Sequence, residues 1–307
     1  MFAVLATTTS YMPSISRARF HTTSRLYLNR LLFTLDEYDI ATNTATLPIS
    51  DKRAVHVIDI LKLDASDTVK AGVVSTGLFN SATIASITPQ NLTFSLNIKH
   101  PTPHTPHNLS LILACPRPLR LTSLLGQIAS LGVDNLLLTG GDKVPKGYFG
   151  SKVFWDEKEK EKLLMDGLSQ NAHDFVLPKV IAKKRGITDV DVQTLDKAFP
   201  PDEYLRLLAH PPSPSDQFTD GTKRQLDTED ELPPLPESLR LHQIDFGTKR
   251  KVVVAVGPEG GYTRRELAHF LDNDFKLINM GVGVLRTDVA VIGLLALCRE
   301  RLASLVE

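Results

Sequence analysis

The sequence predicts an α/β protein in which a small β-barrel precedes a larger domain built on a parallel sheet. Short β-like runs follow one another closely between residues 26 and 98, which is typical of a small barrel. From Leu109 onwards, apolar runs alternate with helical patterns, as in parallel sheets flanked by helices. The run Val252–Val256 is continuously apolar, as expected for a strand buried on both faces. We therefore expect two domains, over residues 26–104 and 108–307.

Length and composition are those of an ordinary soluble protein. The chain has 307 residues, of which 42% are hydrophobic, enough for one large or two ordinary domains. No apolar run approaches the ~20 residues that span a bilayer, so we predict no membrane contact. Cys115 and Cys298 lie far apart in apolar surroundings, and we interpret them as buried thiols. Neither a disulfide framework nor a metal site is predicted.

The charge is unevenly distributed although the formal net charge is zero. Residues 212–245 carry eight acidic and three basic side chains, which leaves the rest of the chain with a net charge of about +5. A mildly basic body is compatible with RNA binding without being diagnostic of it. The acidic stretch also contains the proline-rich segments PPSPSD and LPPLPE, so we predict a disordered surface insertion over 212–245.

The first residues have the composition of a targeting segment. Four arginines and no acidic residue precede Asp36, and nine of the first 24 residues are Ser or Thr. This pattern predicts an organelle transit peptide over residues 1–25 and a location in the mitochondrial matrix or the plastid stroma.

The barrel is predicted from five runs that are separated by turn residues. These runs are Leu26–Phe33, Thr44–Ile49, Thr68–Val74, Phe79–Ile87 and Leu92–Ile98. One helix interrupts them, with Ser50 as its N-cap and apolar positions as far as Leu63. His56 on this helix either contacts RNA or is a half-buried surface histidine, the commoner role of a lone histidine. Residues 99–107 contain three prolines and are predicted to be a linker rather than a metal site.

The larger domain is predicted from alternating strands and helices. The predicted strands are Leu109–Ala114, Asn135–Thr139, Pro178–Ile181, Tyr204–Ala209, Val252–Val256 and Phe275–Asn279. The predicted helices cover Leu121–Ile128 with Gly132 as the C′ glycine, Asp156–His173, a short segment before Tyr204, and Thr287 to the C-terminus.

Two glycine turns follow the last two predicted strands and form the candidate site. The first is Gly257-Pro258-Glu259-Gly260-Gly261, after which Thr263 and Glu266 have the spacing of a capping box. The second runs through Gly281-Val282-Gly283. We expect the two strands to be neighbours in the sheet and to bring both turns together, at the edge where α/β proteins bind ligands.

Known motifs exclude several chemistries. The chain has no P-loop, no dinucleotide fingerprint after a predicted strand, and no HExxH, GxSxG or Cys–His nucleophile pattern. The two turns still offer exposed backbone groups for binding, with Glu259 and Arg286 as nearby charges, and no cluster of basic side chains is expected to accompany them. This combination suits a nucleoside cofactor with little phosphate, such as S-adenosylmethionine. The alternatives are turn geometry alone, a capping carboxylate for Glu259 and a structural ion pair for Arg286.

The motifs GPEGGYTRRE and MGVGVLRTDVA, taken together and in this order, resemble the closing motifs of a known family. They are similar to those of the RsmE-type uridine-N3 methyltransferases of small-subunit ribosomal RNA, which belong to the SPOUT superfamily. The segments LACPRPLRLTSLLGQIASLGVDNLLL, VPKGYFGSK, LSQNAHDFVLPKV and LLAHP resemble further parts of that family, and HVIDILKLDASDTV resembles a segment of its N-terminal domain.

The resemblance implies a PUA-like RNA-binding barrel, a SPOUT methyltransferase domain with a trefoil knot, and a homodimer. It also implies that three loops bind S-adenosylmethionine. Their residues are Ala209, His210, Gly257, Pro258, Glu259, Gly260, Gly261, Met280, Gly281, Val282, Gly283, Val284 and Leu285. Arg286 and Glu259 are then the candidate catalytic residues, and small-subunit ribosomal RNA or the assembling small subunit is the partner. Methylation of another RNA, or a non-catalytic RNA-binding assembly factor, are the alternative functions.

The chain departs from the family pattern at three residues, and its acidic insertion at 212–245 is longer than the family requires. Ser169 stands where the family usually has Glu, and Asp288 replaces the usual Glu after Arg-Thr. Lys62 replaces an Arg in the barrel segment, which keeps the charge but loses bidentate phosphate recognition.

Overall fold

A computed structural model describes residues 30–97, 105–170, 176–190, 192–211, 235–281 and 283–305. The predicted transit peptide over 1–25 lies outside the described residues, as do 99–104 of the predicted linker and 212–234 of the acidic insertion. Val282 of the second glycine turn also lies outside them.

The N-terminal part forms a barrel-like sheet of six strands in the order β1-β4-β5-β6-β3-β2. β1 pairs parallel with β4, and the other pairs are antiparallel. The strands are β1 Leu31–Phe33, β2 Tyr38–Asp39, β3 Thr44–Pro48, β4 Thr68–Val73, β5 Leu78–Ile87 and β6 Asn91–Leu96. The predicted runs therefore form strands within the described residues. Their inward apolar side chains share one core, in which the rings of Phe33 and Phe94 lie 5.3 Å apart.

The helix in the barrel begins one residue later than predicted. Asp51, not Ser50, is the N-cap, because its Oδ1 accepts the backbone N–H of Arg53 at 2.8 Å. The helix α1 covers Lys52–Val55 and continues as a π-helical turn over His56–Ile60. His56 is half-buried in that turn.

The larger part is a seven-stranded, fully parallel sheet in the order β11-β13-β10-β12-β7-β8-β9. Its strands are β7 Leu109–Ala114, β8 Asn135–Thr139, β9 Lys179–Ala182, β10 Tyr204–Ala209, β11 Leu239–Arg240, β12 Lys251–Val256 and β13 Lys276–Asn279. The central strands are buried on both faces, as the continuous apolar runs predict. With the barrel-like sheet, this arrangement confirms the predicted α/β class.

Helices cover the parallel sheet. They are α2 Pro118–Ser130, α3 Lys152–Trp155, α4 Glu157–Leu168, α5 Val192–Ala198, α6 Arg264–Asp272 and α7 Thr287–Ala303. Gly132 follows α2 with a φ of +79°, as predicted for its C′ glycine. The prediction for α4 was too long, because the helix ends at Leu168 and Ser169 is its C-cap. None of the described helices is long and apolar enough to cross a bilayer.

Part of the stretch predicted to be disordered is ordered. Residues 239–240 form the edge strand β11, which pairs with β13. Ile244 and Phe246, just beyond it, are each only 3% exposed in the main core. Burial of these apolar side chains favours order despite the acidic composition around them.

The strand order also corrects one expectation about the site. β12 and β13 are not neighbours, because β10 lies between them. The last residue of β10, Ala209, pairs with Val256 on one side and Ile278 on the other. The carboxyl ends of all three strands therefore lie at the same edge, and the two glycine turns leave the sheet on either side of Ala209.

Candidate functional site

A cavity of about 410 Å³ lies at this edge, within the range of small-molecule sites. Its walls come from the ends of β10, β12 and β13 and from the first turns of α2 and α7. Eleven residues predicted for the site line it: Ala209, His210, Gly257, Pro258, Glu259, Gly261, Met280, Gly283, Val284, Leu285 and Arg286. Gly260 and Gly281, also predicted, do not line the cavity.

The first glycine turn is fixed by Tyr262. The phenol is buried and donates a hydrogen bond to the carbonyl oxygen of Val256 at 3.1 Å, across the turn. A Cβ on Gly257 would lie 3.2 Å from the Tyr262 ring and 3.2 Å from its backbone nitrogen, so a larger residue here would have to shift the turn by a few tenths of an ångström. Burial, and to a lesser degree the charge of Glu266, raise the pKa of Tyr262 well above its usual value. The phenol therefore remains a neutral donor.

The predicted capping box is present and reaches beyond its own helix. Glu266 is fully buried, and its Oε2 accepts the N–H of Thr263 at 2.8 Å, while Thr263 Oγ1 caps the N–H of Glu266. Glu266 Oε1 accepts the N–H of Asp142 at 3.0 Å. One carboxylate thus holds the end of the first glycine turn against the loop that follows β8.

The second glycine turn is anchored by Asn279 at the end of β13. Its Oδ1 accepts the N–H of Gly281 at 2.9 Å, and its Nδ2 donates to the carbonyl oxygen of Ser238 at 2.7 Å. Gly281 and Gly283 have φ values of +102° and +113°, a backbone conformation that favours glycine. Both glycines are therefore needed for the path of this turn, although only Gly283 lines the cavity.

Glu259 contacts a segment far away in the sequence. Its Oε1 accepts the backbone N–H of Arg117 at 3.0 Å, at the start of α2. A carboxylate at this place also interacts favourably with the helix dipole. The capping role weighed for Glu259 is therefore present, and the same side chain lines the cavity.

Arg286 lies at the mouth of the cavity in an ion pair. Its Nε and Nη2 donate to Oδ1 and Oδ2 of Asp288 at 3.1 and 2.7 Å, and Arg120 Nη1 lies 3.4 Å from the same carboxylate. Desolvation acts to raise the pKa of Asp288, but the hydrogen bond and charge of Arg286 and the charge of Arg120 together lower it. Asp288 thus remains ionised and holds both arginines at the cavity.

Several lining residues escaped the sequence analysis. Arg117 and Arg120 line the cavity together with Arg286, so the expectation that no cluster of basic side chains accompanies the turns was wrong. Both arginines follow β7, which pairs with β12, and the rule that ligands bind at strand ends would have found them. Thr287, also missed, links the turns by donating from Oγ1 to the carbonyl oxygen of Gly257 at 3.4 Å.

The three departures from the family pattern lie in different places. Asp288 is part of the cavity. Ser169 is not, because it lies at the end of α4, where its carbonyl oxygen accepts the N–H of Arg30 at 3.0 Å. Lys62 follows the barrel helix with a φ of +54°. Within the described ranges, no group of three or more His, Cys, Asp or Glu side chains is arranged to hold a metal ion.

Comparison with known proteins identifies the family. The profile of the RNA methyltransferase domain matches residues 103–299, well over half of the chain. This chain belongs to the RNA methyltransferase domain family. Among its relatives, the ribosomal RNA small subunit methyltransferase E of Treponema pallidum is 26% identical over 265 residues, which cover 86% of this chain and 87% of the relative. Ribosomal RNA small subunit methyltransferase E 1 of Borreliella burgdorferi is 22% identical over 278 residues, which cover 91% of this chain and 100% of the relative.

A solved structure of the family shares the fold. The ribosomal RNA small subunit methyltransferase E of Neisseria gonorrhoeae, bound to S-adenosyl methionine, matches with a TM-score of 0.63 at 16% identity and covers 89% of this chain and 98% of its own. The match spans both sheets of this RNA methyltransferase family member. The family profile and the curated relatives confirm the identification of an RsmE-type protein from the two closing motifs.

Proposed function

We propose that this protein transfers a methyl group from S-adenosylmethionine to N3 of a uridine in small-subunit ribosomal RNA. The observation that carries the proposal is the convergence of both glycine turns, Glu259 and Arg286 on one cavity in a member of the RNA methyltransferase family. The relatives named small subunit methyltransferase E support the choice of RNA. The uridine-N3 specificity is an inference from the resemblance of the closing motifs.

The cavity has the chemistry that the cofactor needs. Val256, Ile278 and Leu294 supply buried apolar walls, and the two turns offer backbone groups to a purine edge. The carboxylate of Glu259 is the complementary charge for a sulfonium. S-adenosylmethionine supplies an electrophilic methyl group when it is bound. Its phosphate-free structure leaves the three arginines at the mouth available for RNA.

We propose that Arg286 contacts the uracil, and that Glu259 either accepts the uracil N3 proton or contacts the cofactor. Uracil N3–H is a weak acid, so the reaction needs a group that favours the anion, and a guanidinium beside O2 or O4 would do so. Arg286 is exposed and can exchange Asp288 for the base. Glu259 has one carboxylate oxygen on Arg117 N–H and the acid–base character for proton transfer.

Two variants test these roles. In Arg286→Ala we expect loss of methyl transfer with unchanged cofactor affinity in calorimetry, and unchanged turnover would refute the role of Arg286. Glu259→Gln keeps an oxygen for Arg117 N–H but removes the charge, so it separates the capping role from a charged one. If the charge matters, Glu259→Gln will lose activity or cofactor binding while the melting temperature stays close to that of the unmodified protein.

We also propose the knot, the dimer and the RNA-binding role of the barrel. In the sheet, β13 lies between β10 and β11. In the chain, β10, β11 and β12 all come before β13. The last strand is therefore inserted between strands that precede it in the chain, which supports a threaded C-terminal segment. Leu119, Val284 and Val289 expose 86%, 81% and 44% of their surface at or beside the cavity, an apolar patch that a second copy would cover. In Val284→Asp we expect a smaller mass in sedimentation, and an unchanged mass would exclude this face.

The decisive measurement compares N3-methyluridine in small-subunit RNA from cells with and without this protein, by nucleoside mass spectrometry. Loss of one modified position would support the reaction and its substrate together. An unchanged profile would favour another RNA or a non-catalytic assembly factor, and calorimetry with S-adenosylmethionine would separate these two. Since we propose a location in an organelle, the comparison includes the organellar RNA, and imaging of the tagged chain tests the location.

A further inference from the structure

A surface beside the cavity carries basic and aromatic side chains that the methyl-transfer site does not use. It is built from the loop after β8, the helix α3 and the loop after β9, which together cover residues 143–155 and 183–186. These two segments contain six basic residues and no acidic one. The bases are Lys143, Lys146, Lys152, Lys183, Lys184 and Arg185, and all six are exposed.

The six bases form no ion pair within the part of the chain that the structure describes. The acidic residues that border the surface are engaged elsewhere. Asp142 accepts from Arg265 Nη2 at 3.0 Å, and Asp156 caps α4 by accepting the N–H of Lys158 at 3.0 Å. The positive charge of the surface is therefore available to an anionic partner.

Trp155 lies beside Lys184 on this surface as a fixed and partly exposed ring. Its Nε1 donates to the carbonyl oxygen of Phe149, and its ring lies 4.9 Å from that of the buried Phe154 in an edge-to-face arrangement. Lys184 Nζ lies 4.6 Å from the ring centroid, and 45% of the Trp155 surface is exposed. A ring held in this way loses little freedom when a planar group stacks on it.

The surface adjoins the first glycine turn, four residues of which line the cavity. A Cβ on Gly260 would lie 3.2 Å from the Lys143 side chain, so the first glycine turn touches the start of the basic loop. The loop after β9 is joined to it, because Gly140 N–H donates to the carbonyl oxygen of Arg185 at 2.9 Å. The carboxylate of Glu266 also holds the first glycine turn against this loop, because it accepts the N–H of Asp142, the residue before Lys143. An RNA strand that leaves the cavity on this side would meet the bases next.

We propose that this surface, called here the Trp155 platform, binds a single-stranded segment of the substrate RNA next to the target uridine. One base stacks on Trp155, and Lys184 and its neighbours pair with the phosphates. Aromatic stacking combined with lysine charges is the usual way to bind unpaired RNA without reading its sequence. The proposal rests on the proposed function for the identity of the RNA but not for the binding itself.

Trp155 is the single tryptophan of the chain, so its fluorescence reports on the platform alone. The full-length protein is titrated with a short unpaired RNA oligonucleotide, with excitation selective for tryptophan. We expect quenching that saturates with RNA and weakens as salt rises. Inorganic polyphosphate and poly-glutamate serve as probes without bases, and equal quenching by either would overturn base stacking. Unchanged fluorescence while labelled RNA binds would overturn the platform.

Variants give a second and independent test by anisotropy of labelled RNA. Loss of the stacked base in Trp155→Ala is expected to raise Kd about tenfold, whereas Trp155→Phe keeps a ring and most of the affinity. Lys184→Ala is expected to lower the slope of log Kd against log salt concentration by about 0.7. Lys179→Ala is the matched control, because Lys179 is exposed at the opposite end of β9. Equal affinities for all four variants would refute the platform.

The outcome separates this proposal from the proposed function. Normal methyl transfer by Trp155→Ala, with an unchanged KM for RNA, would sink the platform and leave the enzyme assignment intact. Stacking of RNA on Trp155 without any methyl transfer would support the platform and refute the proposed function. Circular dichroism shows whether each variant is folded. If Trp155→Ala is unfolded, the exposed Lys184→Ala variant still tests the platform.

Discussion

Replacing Glu266 should destabilise the protein and loosen the cofactor site together. The side chain is fully buried and accepts two backbone N–H groups, from Thr263 at 2.8 Å and from Asp142 at 3.0 Å. A hydrogen bond to a charged acceptor contributes about 1.5–3 kcal/mol. Glu266→Ala removes both bonds, so we expect a loss of about 3–6 kcal/mol in the free energy of unfolding. Glu266→Gln keeps one accepting oxygen and should lose about half as much.

Urea unfolding followed by circular dichroism measures these differences. The exposed Glu300 on α7 provides the control, and Glu300→Ala should change the free energy of unfolding by less than about 0.5 kcal/mol. Calorimetry with S-adenosylmethionine, at a temperature where Glu266→Ala is still folded, should show weaker binding because the first glycine turn has lost its anchor. A loss below about 1 kcal/mol with unchanged cofactor binding would refute the anchoring role of this carboxylate.

Three further predictions follow from packing and burial. A Cβ on Gly167 would lie 1.9 Å from a backbone oxygen of α2. Gly167→Ala should therefore lower the urea midpoint by an amount equivalent to about 1–3 kcal/mol. Gly147→Ala should leave the midpoint nearly unchanged, because a Cβ on Gly147 meets nothing within 4 Å. Burial raises the pKa of the Cys115 and Cys298 thiols to about 12, so neither should react with iodoacetamide at pH 8 until the protein is unfolded. The raised pKa of Tyr262 keeps its phenol neutral in the folded protein. Its contribution to the free energy of unfolding is therefore present at pH values below the unfolded pKa of about 10 and is lost as the pH rises above it. Tyr262→Phe should accordingly reduce the loss of stability at alkaline pH.

Local patterns in the sequence predicted the elements well where a single physical cause dominates. The apolar runs of β7 and β12 could be placed from hydrophobicity alone, since strands buried on both faces tolerate few polar residues. The capping box of Thr263 and Glu266 was readable because both partners lie within one turn. The start of α1 was harder, since Ser50 and Asp51 are both good caps and only the bond to Arg53 N–H decides between them.

The site was predictable in its residues and less so in its connections. Glu259 and Arg117 are 142 positions apart, and nothing in either segment shows that they meet. The place of β10 between β12 and β13 was also missed, since the order of strands in a parallel sheet depends on crossovers and not on sequence order. For the same reason Arg120 was not linked to Asp288, although a carboxylate shared by two arginines is the main electrostatic feature of the cavity mouth.

These long-range contacts explain how the cavity is held together. Two bonds join its walls, Glu259 to Arg117 N–H and Thr287 Oγ1 to the Gly257 carbonyl oxygen, and a third, Glu266 to Asp142 N–H, holds the first glycine turn against the loop after β8. Each bond links segments that meet only when the sheet has its full strand order, so the cavity is a product of the complete fold and not of any one turn. Glu259 is also a candidate catalytic residue, and Glu266 anchors the first glycine turn. Changes to them should therefore affect cofactor binding and stability together. The side chain of Arg286 is exposed and, among the described residues, bonds only to Asp288, so its replacement should affect transfer alone.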